Sequence, residues 1–339
     1  MRQGRATGQY LLYLFPSLFS SKVIKLSELA ENREHVPIKH KKSLSQRLKK
    51  SWTDNKIVYI VLTPIIIHFL IFQLFPLLFS FVLSFMNWPV IGAPSFVGLN
   101  NWKRLFSDEL AWRSLWNTVL FSVYYIIPTM ALGLILALLI NSGLRLSSFF
   151  KGIYFLPVVT AFVIICGIWI WMFKGSEDGM MNSILGLVGI PPQMFFGDAK
   201  LALPLLATIS IFKVSGSTMV YYFAGLKSIP SHLYEAAHID GAGKWRRFWH
   251  VTFPLLMPTH FYVAIITTIG SFQIFDSAYL VTDGGPNYAT TTIVLYLYRV
   301  AFNELSMGYA SVLSYILFAV ILTISLIQRK YFGKEISYY

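Results

Sequence analysis

Six apolar runs dominate this sequence, at about 57–86, 114–140, 151–173, 201–224, 257–280 and 309–328. Roughly 20 consecutive apolar residues is what an α-helix needs to cross the hydrocarbon layer of a bilayer. Within that layer every backbone N–H and C=O must find its partner inside the protein, so runs of this length take the helical form. The expected fold is therefore all-α, with six transmembrane helices. An apolar share of 55%, a charged share of 13% and a mean hydropathy of +0.59 argue against soluble domains in these 339 residues. Prolines 64, 76, 128, 157 and 204 lie inside or at the ends of the runs, where neighbouring helices can re-satisfy the backbone.

A net charge of +13 would suggest a nucleic-acid partner in a soluble chain. Here topology accounts for it. Six crossings put both termini on one side; that side holds 21 of the 28 Lys and Arg, the opposite side holds six, and Lys213 lies within a run. The basic excess marks the cytoplasmic face. Both termini and the 226–257 loop are thus expected in the cytoplasm, with the bilayer as partner and no nucleic acid. Residues 1–56 carry 12 Lys/Arg against four Asp/Glu. Tyr10–Phe19 is too short to span and reads as an interfacial helix, and Lys39–Lys50 as a lipid-facing basic cluster. A tail, 331–339, closes the chain. The single cysteine, Cys166, excludes an intrachain disulfide.

Between runs four and five lies a polar, basic stretch, Leu226 to Pro258. Pro230-Ser231 reads as a helix start with Ser231 as cap, and Glu235 then falls near the positive end of the helix dipole. Ala236 and Ala237 are small enough for a partner to approach closely. Gly241 and Gly243 end the helix, and Pro254 and Pro258 reset the chain before the next run. Gly241-Ala242-Gly243-Lys244 is no phosphate-binding loop, since His238 stands where Gly is needed and Trp245 where Ser or Thr is needed. His232 and His238 are six residues apart, on different faces of a helix, which excludes a shared metal.

Glu235-Ala236-Ala237, then Gly241, then Val251-Thr252-Phe253-Pro254 resembles the EAA loop of binding-protein-dependent ABC importer permeases, with the family's spacing kept. Phe96–Trp102 is similar to the F-x-G-L-x-N segment of the sugar-type members, Asp283–Pro286 to their G-G-P turn, and Phe302 with Met307–Ser311 to the opening of their last span. The resemblance covers about 57–330 and points to the carbohydrate-uptake branch, of the maltose-type larger permease subunit. It implies the type I permease fold with a cytoplasmic coupling helix, in a bacterial inner membrane. It also implies a second permease, an ABC ATPase dimer that binds ATP and Mg, and an extracytoplasmic solute-binding protein. This chain is then no enzyme and holds no cofactor itself. Coupling to the ATPase would fall to Glu235, Ala236, Ala237, Asp240 and Gly241.

Lys213 stands near the middle of the fourth run, where a charge costs about 2.5–3.5 kcal/mol. By the resemblance, the cargo-facing positions of this helix are Ser210, Phe212, Lys213, Val214 and Ser217, and those of the next are Thr267, Gly270, Ser271 and Ile274. Gln273 and Asp276 are further polar candidates, Asp276 also as an ion-pair partner for Lys213. An ammonium in a cavity is stabilised by an anionic ligand, so the expected cargo is an acidic, uronate-containing oligosaccharide. A neutral oligosaccharide or sugar phosphate is the alternative, with Lys213 then structural. An ion-coupled secondary transporter is a third class, which would need inverted internal repeats; none is found.

Overall fold

The computed structural model describes residues 56–89, 92–142 and 147–332. The basic N-terminal region with its expected interfacial helix, and the tail beyond 332, lie outside the described residues. The described chain divides at Gln73 into two units. The first carries α1 (Lys56–Phe69), an apolar helix with Pro64 inside it and no buried residue, which runs into a π-turn at Leu70–Leu74. Apolar side chains left exposed along a whole helix are what a lipid-facing rod requires.

The second unit opens with α2 (Phe75–Leu83) and a short antiparallel ladder, β1 (Met86–Asn87) on β2 (Ser95–Phe96), with Met86 opposite Phe96. Then come α3 (Asn100–Ser107) and the 33-residue α4 (Glu109–Asn141). α5 (Ser147–Val159) and α6 (Phe162–Met172) follow, then the short α7 (Met180–Leu187) and the long α8 (Ala202–Ser228). α9 (Ser231–Ile239) leads to α10 (Lys244–Leu255) and α11 (Met257–Phe272), and α12 (Ile293–Tyr298) to α13 (Met307–Phe332).

Lys56–Leu83, α4, α8 and Met307–Tyr331 are each long and apolar enough to cross a membrane unbroken. The other two spans are bent: α5 meets α6 at 95°, and α10 meets α11 at 64°. The expected fifth run, 257–280, is further interrupted. Its helix ends at Phe272 and helical turns resume only at Asp276. Hydropathy measures length and composition, and a bend changes neither.

α4 and α8 pack most extensively. Gly133 makes this possible, since a Cβ there would lie 2.4 Å from the Thr218 methyl; small residues at helix crossings let backbones approach in the absence of a hydrophobic drive. Phe121, Leu206, Ile209 and Ala278 form one buried cluster at this seam, and Met219, Tyr222, Leu256 and Val263 another nearer α9. A third, with Ile293, Val300, Tyr309 and Leu313, joins α12 to α13 at the opposite end.

At that opposite end two sequence motifs converge on one carbonyl. The Asn101 amide donates to the Ser84 and Met86 carbonyls at 3.0 and 2.9 Å, and Gly308 packs against the same Met86 oxygen. In the G-G-P turn, Asp283 (φ 44°) and Gly284 (φ 75°) are left-handed, Gly285-Pro286 is cis, and Arg299 bridges to the Asp283 carboxylate at 2.8 Å.

Asp108 ties this end together. It caps α4 through the Ala111 N–H and accepts from the Tyr296 and Tyr309 hydroxyls at 2.6 and 2.5 Å. Burial pushes its carboxyl up, but those hydrogen bonds and the nearby Arg104 charge outweigh burial and hold it below the ordinary 3.8. A carboxyl lowered in the fold stabilises it above the unfolded value, about 3.9, and that contribution is lost as pH falls through the folded value. Asp108→Asn is expected to cost about 2 kcal/mol at neutral pH and to flatten the acid limb. Thermal unfolding in detergent from pH 3 to 7 checks both.

Candidate functional site

A cavity of about 270 Å³ opens where the broken spans meet α4 and α8. Phe121 and Tyr125 line it from α4, Phe162 from the first turn of α6, and Ser210, Lys213 and Val214 from α8. Gly270 on α11 and the interruption Gln273–Asp276 complete the wall. The site thus stands at two breaks, the α5–α6 bend and the gap after Phe272. Broken helices leave backbone groups without intrahelical partners, and within a bilayer these are tolerated where they are buried in protein or line a cavity.

Both breaks are repaired from a distance. The Ile274 carbonyl accepts from the Thr292 hydroxyl at 2.9 Å. At the other break, the Lys213 ammonium donates to the carbonyls of Pro157, Val158 and Thr160 at 2.9, 2.8 and 2.6 Å. The Leu156 carbonyl is taken by the Thr160 N–H and hydroxyl. Each charge-assisted bond returns about 1.5–3 kcal/mol, enough for three to offset the insertion cost of about 2.5–3.5 kcal/mol. Lys213 also sets a cation at the negative end of the α5 dipole. No salt bridge to Lys213 occurs among the described residues. Its ion pair with Asp276, weighed from sequence, is therefore absent, and all three of its protons go to backbone.

Of the sequence candidates, the structure brings Ser210, Lys213, Val214, Gly270, Gln273, Ile274 and Asp276 to the cavity. Four others lie elsewhere. Phe212 faces outward, with its ring 6.2 Å from that of Trp169. The Ser217 hydroxyl donates to the Val214 carbonyl, while Ser271 and Thr267 are buried and bonded to Thr268 and Val263 carbonyls. Phe121, Tyr125 and Phe162 were not legible as lining residues, because aromatics in an apolar run read as packing; Pro157, just ahead of the α5–α6 break, was the one hint. Asp276 and Gln273 are exposed, and among the described residues Asp276 has no hydrogen-bond or ion-pair partner.

At the far end of α8, α9 stands against the bundle through Leu233 and Tyr234, whose hydroxyl meets that of Thr252 at 3.2 Å. Ser231 is its first residue rather than its cap; Pro230 holds the cap position, and no side chain caps the helix. Its C-terminus is a Schellman turn: Gly241 (φ 71°) donates to the His238 carbonyl and Ala242 to that of Ala237. A left-handed residue is needed there, which is the physical reason for glycine at 241. The outer face of α9 carries His232, Glu235, Ala236 and Ile239, the last 85% exposed, with Asp240 and Gly241 exposed beyond it and Ala237 half-buried. Below α9, the Tyr222 hydroxyl and His260 Nδ1 join α8 to α11 at 2.9 Å, while Gly225 packs against Thr259 and Leu256. The helix therefore sits at the joined ends of two spans that line the cavity.

A cavity at span breaks, mostly apolar with a few polar groups and tied through two of its wall helices to a small helix projecting at one end, is the arrangement of a membrane transport component. The family model described as "Binding-protein-dependent transport system inner membrane component" matches residues 111–337, and this chain belongs to that family. It is 34% identical to the probable ABC transporter permease protein YurN of Bacillus subtilis (strain 168), over 83% of this chain and 99% of that one. The arabinooligosaccharides transport system permease protein AraP of the same organism is also 34% identical, over 81% of this chain and 88% of AraP. Among solved structures, a chain of a bacterial ABC transporter involved in import of the acidic polysaccharide alginate is similar at TM-score 0.74 and 25% identity, covering 84% of this chain and 97% of that one. The alginate transporter with its alginate pentasaccharide-bound periplasmic protein matches at 0.72 and 25%, covering 84% and 96%. The type I importer-permease fold expected from sequence is the fold observed, and the chain is a transport component of a membrane.

Proposed function

We propose that this chain is the transmembrane permease of an ATP-driven saccharide importer that works by alternating access. The observation that carries the reading is the cavity at the two breaks, whose α8 and α11 walls continue into the base of α9. In this reading a solute-binding protein delivers cargo at the Asp108 end, and α9 enters a cleft on a cytoplasmic ATPase. ATP and Mg are bound there, by the partner. Closure of the ATPase dimer moves α9, and α8 and α11 transmit the motion to the cavity wall. A second, homologous permease completes the chamber, which is small here for a ligand site (about 300–1,000 Å³ is usual). In this reading the termini lie in the cytoplasm and the membrane is a bacterial inner membrane, which the basic excess at the α9 end supports for the side of the termini.

Saccharide cargo is supported by the polar groups left open at the cavity. Asp276 can accept sugar hydroxyls through both oxygens, Gln273 can donate and accept, and the half-buried Phe275 brings a ring to the wall. With its three protons committed to backbone carbonyls, Lys213 has none left for a hydrogen bond to cargo. A neutral oligosaccharide suits that set best. An acidic, uronate-containing saccharide is the second reading, favoured by a lysine charge that no carboxylate neutralises and by the alginate transporter among the structural neighbours.

The test is uptake by proteoliposomes holding the full complex and its binding protein, with a panel of neutral and uronate-containing oligosaccharides. Uptake that needs internal ATP and the binding protein is expected. Uptake driven by an ion gradient without ATP would overturn the reading, and preference within the panel decides the charge of the cargo.

A further inference from the structure

A lysine in the middle of a span invites assignment as a ligand group, yet its geometry serves a different purpose. The three carbonyls that Lys213 binds belong to the end of α5 and the α5–α6 junction, 53 to 56 residues away in sequence. One turn further along α8, Gly216 is the second point of contact with α5. A Cβ there would lie 2.2 Å from the Tyr154 carbonyl oxygen, so backbone meets backbone. Lys213 and Gly216 are three residues apart and share a helix face. Together they fix where α5 stops relative to α8, and so where Phe162, two residues after the last bonded carbonyl, meets the cavity.

We propose that Lys213 is a positioning residue: it pins the break of the third span to α8 and thereby holds the cavity wall, without itself reading the cargo. The pin is ionic because one ammonium supplies three donors from a single point, which no neutral side chain does. Every conformational change that moves α8 then carries the α5–α6 break with it, so the broken span travels with the wall rather than lagging behind. The inference rests on the transport reading for its effect on uptake, but the pin itself is tested without transport.

The test starts from the full chain in detergent, in a Cys166→Ser background, with Thr160→Cys as a reporter at the break and maleimide labelling as the readout. Lys213→Met is expected to speed labelling at least about tenfold, equivalent to about 1.4 kcal/mol of local opening. Lys213→Gln, which keeps two donors, is expected in between, and Lys213→Arg close to wild type. Labelling unchanged in Met and Gln variants overturns the pin, whatever the transport assay gives. Should Lys213→Met fail to accumulate, the Gln and Arg variants carry the comparison. In the reconstituted complex, Lys213→Met is expected to lower the maximal uptake rate by one common factor for neutral and acidic saccharides, with KM little changed and Arg restoring most of the rate. A loss confined to acidic saccharides and seen in KM would mark a ligand contact and overturn the positioning role. If no variant nor wild type shows ATP-driven uptake while the labelling order holds, the pin stands and the transport reading falls.

Discussion

Replacing Glu235 by arginine is expected to cut ATP-driven uptake at least about 100-fold, equivalent to about 2.8 kcal/mol of lost coupling, while leaving the fold of the chain intact. Glu235 is exposed on the outer face of α9 and has no hydrogen-bond or ion-pair partner among the described residues. Its removal thus takes nothing from the bundle, and a surface exchange of this kind stays within about 0.5 kcal/mol of wild type. Its weight lies in the proposed interface. An anion seated in a partner's cleft is met there by donors, and a cation among donors costs several kcal/mol. Ile239 on the same face supplies the apolar part of such a contact. The measurements are uptake, co-purification of the ATPase, and apparent Tm of the chain alone. Full uptake by the Glu235→Arg complex would show that α9 does not carry the drive.

How legible this was depends on whether a feature is written in local spacing. The α9 helix and its end were legible because a Schellman turn needs its glycine a fixed distance after the helix, as Gly241 stands to Ser231–Ile239. Asn101 and Gly308 were legible as motifs but not as neighbours; their meeting at the Met86 carbonyl is a tertiary fact. Lys213 was conspicuous, yet its partners are backbone carbonyls, which carry no residue identity and so leave no trace in sequence. The bends at Thr160–Ala161 and Gln273–Phe275 escaped for a related reason. A carbonyl freed by a break can be satisfied from a distant side chain, as Thr292 does for Ile274, without lowering the hydropathy of the run. The hydroxyls of serines 217 and 271 bond their own upstream carbonyls, which a hydroxyl in an apolar helix does as readily as it bonds a ligand, so residue type alone does not separate the two.

Two glycines separate packing from cargo handling, and the second large effect is expected at one of them. A Cβ on Gly308 would lie 1.9 Å from the Met86 carbonyl oxygen and 2.8 Å from the Asn101 amide nitrogen. The backbone has no slack there, because the Asn101 amide already joins the Met86 and Ser84 carbonyls. Gly308→Val therefore adds an overpacking cost of about 1–3 kcal/mol and displaces two hydrogen bonds worth about 1 kcal/mol each. With roughly 2–4 °C lost per kcal/mol in a domain of this size, the apparent Tm in detergent should fall by about 6–20 °C. Gly270→Ala is the control, for nothing lies within 4 Å of its Cβ and it faces the cavity. It is expected to leave Tm within about 2 °C, since an exchange that touches no packing costs little, while altering the saccharide preference of uptake. If Gly308→Val melted with wild type, the convergence of the two motifs on Met86 would be no constraint on the fold. If Gly270→Ala lost stability but kept its preference, the cavity would be closed packing rather than a passage.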